Sequence, residues 1–144
     1  LEPLNKEKIK LIALHSSLKD YQIVYKINSL LISNFQRSKK DIKLESHFYS
    51  SHYSWKLKSK GLDFELFSNK LISNNESIQH IKGLFSYPEL KELSLIKKYK
   101  EVDFFIKQNC FYPSEKLVNT LKQVKGISLV YRIYDLEENL NFDV

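Results

Sequence analysis

The sequence predicts an α+β fold: a two-layer sandwich in which a mixed, mainly antiparallel sheet carries two helices on one face, with ferredoxin-like or ACT-like character. Three observations predict it. Residues 93–134 read as one strand-helix-strand unit, residues 9–32 as a strand followed by a helix, and residues 47–67 as an alternating hairpin. With so few helices beside so many strands, both helices must bury their apolar stripes against one face of the sheet.

Residues 9–15 form an apolar run short enough for a buried strand. Ser16 or Ser17 then opens a helix, and Asp20 lies three residues after Ser17, close to a capping-box arrangement. Tyr21, Val24, Ile27 and Leu31, with Ile23 and Leu30, give that helix a broad apolar stripe, which Ser33 and Asn34 end. Arg37, Lys39, Lys40 and Lys43 mark residues 35–44 as an edge strand or a strand with a charged loop. Across residues 47–60 Tyr49, Tyr53, Trp55 and Leu57 fall on one face, while His52, Ser54, Lys56, Lys58 and Lys60 fall on the other. Gly61 permits a turn into residues 62–67, so an antiparallel hairpin is expected. Residues 74–83 read as a polar loop, the chain turns near Tyr87 and Pro88, and residues 93–96 read as a short strand.

In the next strand Val102, Phe104 and Ile106 make an apolar face, while Asp103 and Lys107 flank Phe105 on the other. Pro113 precedes Ser114, the expected N-cap of a second helix, and Glu115 suits the positive end of its dipole. Leu117, Val118, Leu121 and Val124 share one side of that helix, and Gly126 stops it. Residues 127–134 then form a strand with Ile127, Leu129, Tyr131 and Ile133 on one face. The connection from residue 107 to residue 127 is long enough for a right-handed crossover between a parallel pair.

A chain of 144 residues is one domain, here residues 1–134, followed by an acidic tail at 135–144. Apolar residues at 42% and charged residues at 28% are ordinary for a globular protein and argue against disorder in its body. The single Cys110 excludes an internal disulfide or a multi-cysteine zinc site and fits a reducing compartment. No apolar run approaches the roughly 20 residues that span a bilayer, and residues 1–10 lack signal-peptide character, so a cytoplasmic location without membrane insertion is expected. No methionine occurs, even at position 1, so a few native residues are expected to precede Leu1. Four acids after residue 134 leave residues 1–134 with 23 bases against 13 acids, a net +10 beside the +6 of the chain. A basic body favours an anionic partner such as RNA, a membrane surface or an acidic protein, although a merely solvated lysine-rich surface explains it too.

The run LIKKYKEVDFFIKQ, from Leu95, resembles the segment that names the IPExxxVDY family of small bacterial proteins found chiefly in Bacteroidetes. Ile96 stands at the I, Val102 and Asp103 at the V and D, while Lys97, Lys98 and Phe104 replace the P, E and Y. IALHSSLKDYQIVYKIN, FQRSKKDI and FSNK, at residues 12–28, 35–42 and 67–70, are similar to the family as well. The family has no established activity, so the resemblance implies no catalytic residues.

No catalytic constellation stands out. His15, beside Ser16 and Ser17 where a strand meets a helix N-terminus, is in a place where anions or nucleophiles are held, and Asp103 is a candidate base or partner-binding carboxylate. The structural alternatives are a satisfied structural histidine and a salt bridge from Asp103 to Lys107 or to a neighbouring strand. His47 and His52 are split between strand faces, His80 lies in a polar loop, and no glycine-rich phosphate loop or C-x-x-C occurs, so neither metal nor cofactor is expected. Cys110 reads as a packed thiol. Lys56, Lys58 and Lys60 project from one strand face, and Lys97, Lys98 and Lys100 form a second basic cluster. Tyr49, Tyr53 and Trp55 would stack on RNA bases if exposed, but opposite the lysines they read as core. The expected function is therefore a non-enzymatic binding or regulatory domain for a protein partner, with RNA binding through the basic face second and an enzyme using His15 or Asp103 third.

Overall fold

The computed structural model describes residues 10–44, 48–73 and 93–134. The elements are β1 (Lys10–Ser16), α1 (Asp20–Leu31), β2 (Gln36–Arg37), β3 (Ile42–Leu44), β4 (Phe48–Ser50), β5 (His52–Leu57), β6 (Leu62–Ser68), β7 (Ile72–Ser73), β8 (Phe104–Gln108), α2 (Ser114–Leu121) and β9 (Ile127–Ile133). Six strands form a sheet in the order β2-β5-β6-β8-β1-β9, and β3-β4-β7 form a smaller one. The class is α+β as expected, and every pairing between these strands is antiparallel.

One expected pairing is corrected. β8 and β9 run in the same direction but are not neighbours, because β1 lies between them and pairs antiparallel with both. The reason is burial: Leu11, Ile12, Ala13 and Leu14 are all covered, so β1 is apolar on both faces and takes the interior position. The 47–60 strand is also corrected. It breaks at Ser51, with β4 in the small sheet, β5 in the large one, and Lys58–Lys60 in a 3-10 turn closed by Gly61 at φ +64. Ser50 and Ser51 are buried there, and Ser51 O accepts the N–H of Ser68 at 3.1 Å, fixing the point where the chain changes sheets. The β5–β6 hairpin itself is as expected, in register from His52 opposite Phe67 to Leu57 opposite Leu62.

Two cores lie on the two faces of β1. On one, Ile12, Leu14, Phe64, Leu66, Phe104, Ile106 and Val130 pack with Ile23, Val24 and Ile27 of α1 and Leu117, Val118 and Leu121 of α2. On the other, Leu11, Ala13, Phe67, Phe105 and Ile133 pack with Ile42, Ile96 and Val102. Val102 therefore lies opposite Phe104 and Ile106 rather than beside them, because it sits in the turn before β8 and donates its N–H to Tyr99 O at 3.0 Å. Residues 93–96 make a single bridge, Ser94 to Lys70, instead of a strand. Asn69, wholly buried, holds this segment: its Oδ1 accepts the N–H of Ile96 at 2.8 Å, and its Nδ2 donates to Tyr99 O and Val102 O at 2.8 and 2.9 Å.

Helix ends differ from expectation by a few residues. α1 begins at Asp20 after Lys19, whose N–H donates to Gln22 Oε1 at 2.9 Å, while Ser16 stays in β1. Tyr21 belongs to the outer face of α1, since Ile23, Val24 and Ile27 already fill the buried one. α2 follows Pro113, so Ser114 is its first residue rather than its cap. The expected tail and the turn near Tyr87 and Pro88 lie outside the described residues.

Gly126 makes two demands at once. Its φ is +106, and a Cβ added there would lie 2.5 Å from Leu18 Cδ1. Gly126→Ala should cost roughly 1–3 kcal/mol in urea or thermal unfolding. Part of that loss should be non-additive with Leu18→Ala, because the second change removes the clash and leaves the backbone strain.

Candidate functional site

Two of the family-like stretches and the aspartate of a third meet at one end of β1. A cavity of about 390 Å³ is lined by Ser16, Ser17, Leu18, Lys19, Asp20, Ser51, Ser68, Lys70, Ile72, Asp103 and Phe104. The register of β1 with β9 shifts between His15 and Ser16, which turns the chain from strand into α1. Asp103 secures that turn: Oδ2 accepts the N–H of Ser16 at 2.8 Å, and its backbone N–H donates to Leu14 O at 3.1 Å. Ser16 Oγ donates to Gly126 O at 2.6 Å and accepts the N–H of Leu18 at 3.0 Å. Asp103 thus lines the cavity while doing the work of a backbone cap, and the ion pair with Lys107 is replaced, since Lys107 lies 3.6 Å from Glu65.

His15 does not join this cavity. Its Nε2 is 2.8 Å from Tyr131 Oη and the two rings lie 5.4 Å apart, so the imidazole is held against β9. Burial, with the charge of Glu101 nearby, raises the Tyr131 hydroxyl above the usual tyrosine range. The structure therefore assigns His15 and Asp103 to different partners.

The basic residues also separate. Lys56 in β5 faces Asp63, whereas Lys58 and Lys60 belong to the 3-10 turn, so the row of three along one strand is not formed. Lys97 and Lys98 lie in a second 3-10 turn, Lys97–Tyr99, followed by Lys100, whose carbonyl accepts a hydrogen bond from Lys70 Nζ at 2.7 Å. The first group follows β5 at the start of β6 and the second lies against its end at Asn69, roughly 20 Å away at the rise of an extended chain. Tyr53 is buried and Trp55 stacks on Phe64 with centroids 5.4 Å apart, as core residues. Tyr49 is in the smaller sheet. Among the described residues no three His, Cys, Asp or Glu side chains come together as a metal site, and no helix is long and apolar enough to cross a membrane.

A polar network that sequence reading missed surrounds His52. His52 is buried, with Nδ1 2.5 Å from Ser38 Oγ and Nε2 2.8 Å from Glu65 Oε1, and Glu65 Oε2 accepts from Asn109 Nδ2 at 2.7 Å. The hairpin register carries the signal: His52 and Glu65 are diagonal neighbours on one face of β5 and β6. Burial pushes the Glu65 carboxyl up, but hydrogen bonds from His52 and Asn109 and the charge of Lys107 outweigh it and bring the group down to about 2.

Compared with known protein families, curated proteins and solved structures, the chain finds no match.

Because the Glu65 carboxyl is lowered from 4.5 to about 2 on folding, its contribution is complete above about pH 4.5 and is lost as pH falls toward 2. In urea titrations across that window, the stability advantage of the native protein over Glu65→Gln should shrink steadily with falling pH. A constant difference would show that Glu65 does not ionise at a depressed pKa.

Proposed function

We propose that this chain is a non-catalytic, cytoplasmic binding domain of ferredoxin-like architecture that recognises a protein partner through the outer face of α1. The order β9-β1-β8-β6, with α1 after β1 and α2 between β8 and β9, supports the architecture. The convergence of Ser16–Asp20, Asn69 and Val102–Asp103 supports the likeness to the IPExxxVDY family, because three separated stretches of the resemblance serve one junction.

The observation that carries the function is the outer surface of α1. Tyr21, Tyr25 and Ile32 are 59%, 74% and 90% exposed, and spacings of four and seven align them along one side of the helix. Ile32 is a β-branched residue held at φ +53, a conformation that opposes its side chain, and it is fixed there by Asn28. Asn28 Oδ1 accepts from Ser33 Oγ and Phe35 N, each at 2.8 Å, and Asn28 Nδ2 donates to Phe35 O at 3.1 Å. Strain that leaves an apolar side chain in water brings no folding return, and it serves recognition. Lys26 Nζ donates to Lys125 O at 3.0 Å on the side of α1 that meets α2, and the exposed strip itself calls for a partner with an apolar surface.

The competing readings have less support. His15, Asp103 and His52 are each engaged in internal hydrogen bonds, and the lysines offered to RNA stand in two groups away from any exposed pair of rings.

A benzophenone amino acid at position 25 should give one defined protein adduct in lysate of the native cell, and Tyr21→Ser with Ile32→Ser should abolish it. The same probe at position 58 should give none. Equal, diffuse adducts at both positions would contradict the proposal, as would labelling of Ser38 by a fluorophosphonate, which would make the Ser38–His52–Glu65 set a catalytic relay.

A further inference from the structure

We infer that β9 is a self-association edge, at which a second copy of this chain adds its own β9 in antiparallel register centred on Tyr131. The two ends of the large sheet are built differently. At one, β2 is two exposed residues long and is followed by the Arg37–Asp41 ion pair at 2.6 Å and by Lys39 and Lys40, the usual means of blunting an edge. At the other, β9 runs for seven residues, has β1 as its partner on one side, and contains no proline and a single charge, Arg132.

The outward groups of β9 follow from its pairing. Leu14 O accepts the N–H of Asp103 at 3.1 Å, so the backbone groups of Leu14 point toward β8. Leu14 stands opposite Val130, which makes this a pair without mutual hydrogen bonds and turns the N–H and C=O of Val130 away from β1. By the two-residue alternation Arg132 does the same. Among the described residues nothing bonds to these four groups.

A two-fold axis through Tyr131 places Val130 opposite Arg132 of the second copy, and Arg132 opposite its Val130. Both are bonded pairs, so all four outward groups of each chain are satisfied. Tyr131 then meets its equivalent in the closer, non-bonded pair, and Leu129, 52% exposed, lies opposite Ile133 of the second copy. This register uses the half of β9 beyond the irregularity at His15 and Ser16. It is self-complementary, as an isologous contact requires, and it carries apolar side chains on the same face as Leu11 and Phe105.

Sedimentation equilibrium of the full chain tests the inference. The native protein should be a dimer at tens of micromolar. Arg132→Pro should be a folded monomer at the same concentration, with affinity weakened at least tenfold, because a proline there removes only an outward N–H. In a Cys110→Ser background, Tyr131→Cys should oxidise to a covalent dimer. A native monomer at 100 micromolar, or a Tyr131→Cys variant that stays monomeric under oxidation, would overturn the proposal. A dimer unaffected by Arg132→Pro would do so as well. Tyr25→Ser should leave the dimer intact, so failure at β9 and failure at the α1 face are read separately.

Discussion

Asn69 is the residue on which the second core depends. It is fully buried, and beyond the three side-chain bonds its backbone N–H donates to Asp103 O at 2.9 Å and its carbonyl accepts from Leu95 N at 2.8 Å. A carboxamide suits this place because it offers an acceptor and two donors from one rigid plane, matching the N–H of Ile96 and the carbonyl of Val102 and adding a second donor to Tyr99 O, which already accepts the Val102 N–H. Each bond contributes only about 1 kcal/mol net, but removing the amide strands the buried Ile96 N–H and Val102 carbonyl at roughly 1–3 kcal/mol each. The segment from Ser94 to Asp103 has little regular secondary structure to replace those bonds.

What Asn69 holds in place then organises the rest. Ile96 and Val102 pack with Phe67 and Phe105, so on the sheet face opposite α1 and α2 the described irregular chain contributes to the core. Asp103 reaches Ser16, Ser16 reaches Gly126, and Gly126 admits Leu18, a sequence of contacts that sets where α1 begins and where β9 begins. Both proposed recognition surfaces sit downstream of that junction: the outer face of α1 and the free edge of β9. Polar side chains here fasten segments to one another: Asn69 holds the turn at Ile96 and Val102, Asp103 holds Ser16, and His52 links Ser38 to Glu65.

Much of the fold was legible because periodicity reports burial. Leu117, Val118, Leu121 and Val124 are all buried as their spacing requires, and the β5–β6 hairpin follows from alternation around Gly61. Pairing was less legible, since an apolar run such as LIAL shows that β1 is covered on both faces without saying by which strands. The sheet change at Ser51 was invisible because period-two alternation continues through it. Of the candidate site, Val102 and Asp103 stood out in the sequence, but the contacts they make did not. The role of Asp103 is a contact with Ser16, 87 positions away, and local pattern holds no record of it. Tyr21 was misplaced because a helix stripe read broadly includes residues at its margin, where an aromatic ring suits either side.

Native-state hydrogen exchange on Asn69→Ala tests the central claim most directly. If Asn69 fastens the whole segment, the amides of Leu95, Ile96, Val102 and Ser16 should lose protection together, while those of Tyr53 and Leu66 in the hairpin keep theirs. Loss confined to Ile96, whose N–H bonds the Asn69 side chain, would show that the segment is held by its apolar residues alone and would contradict the account.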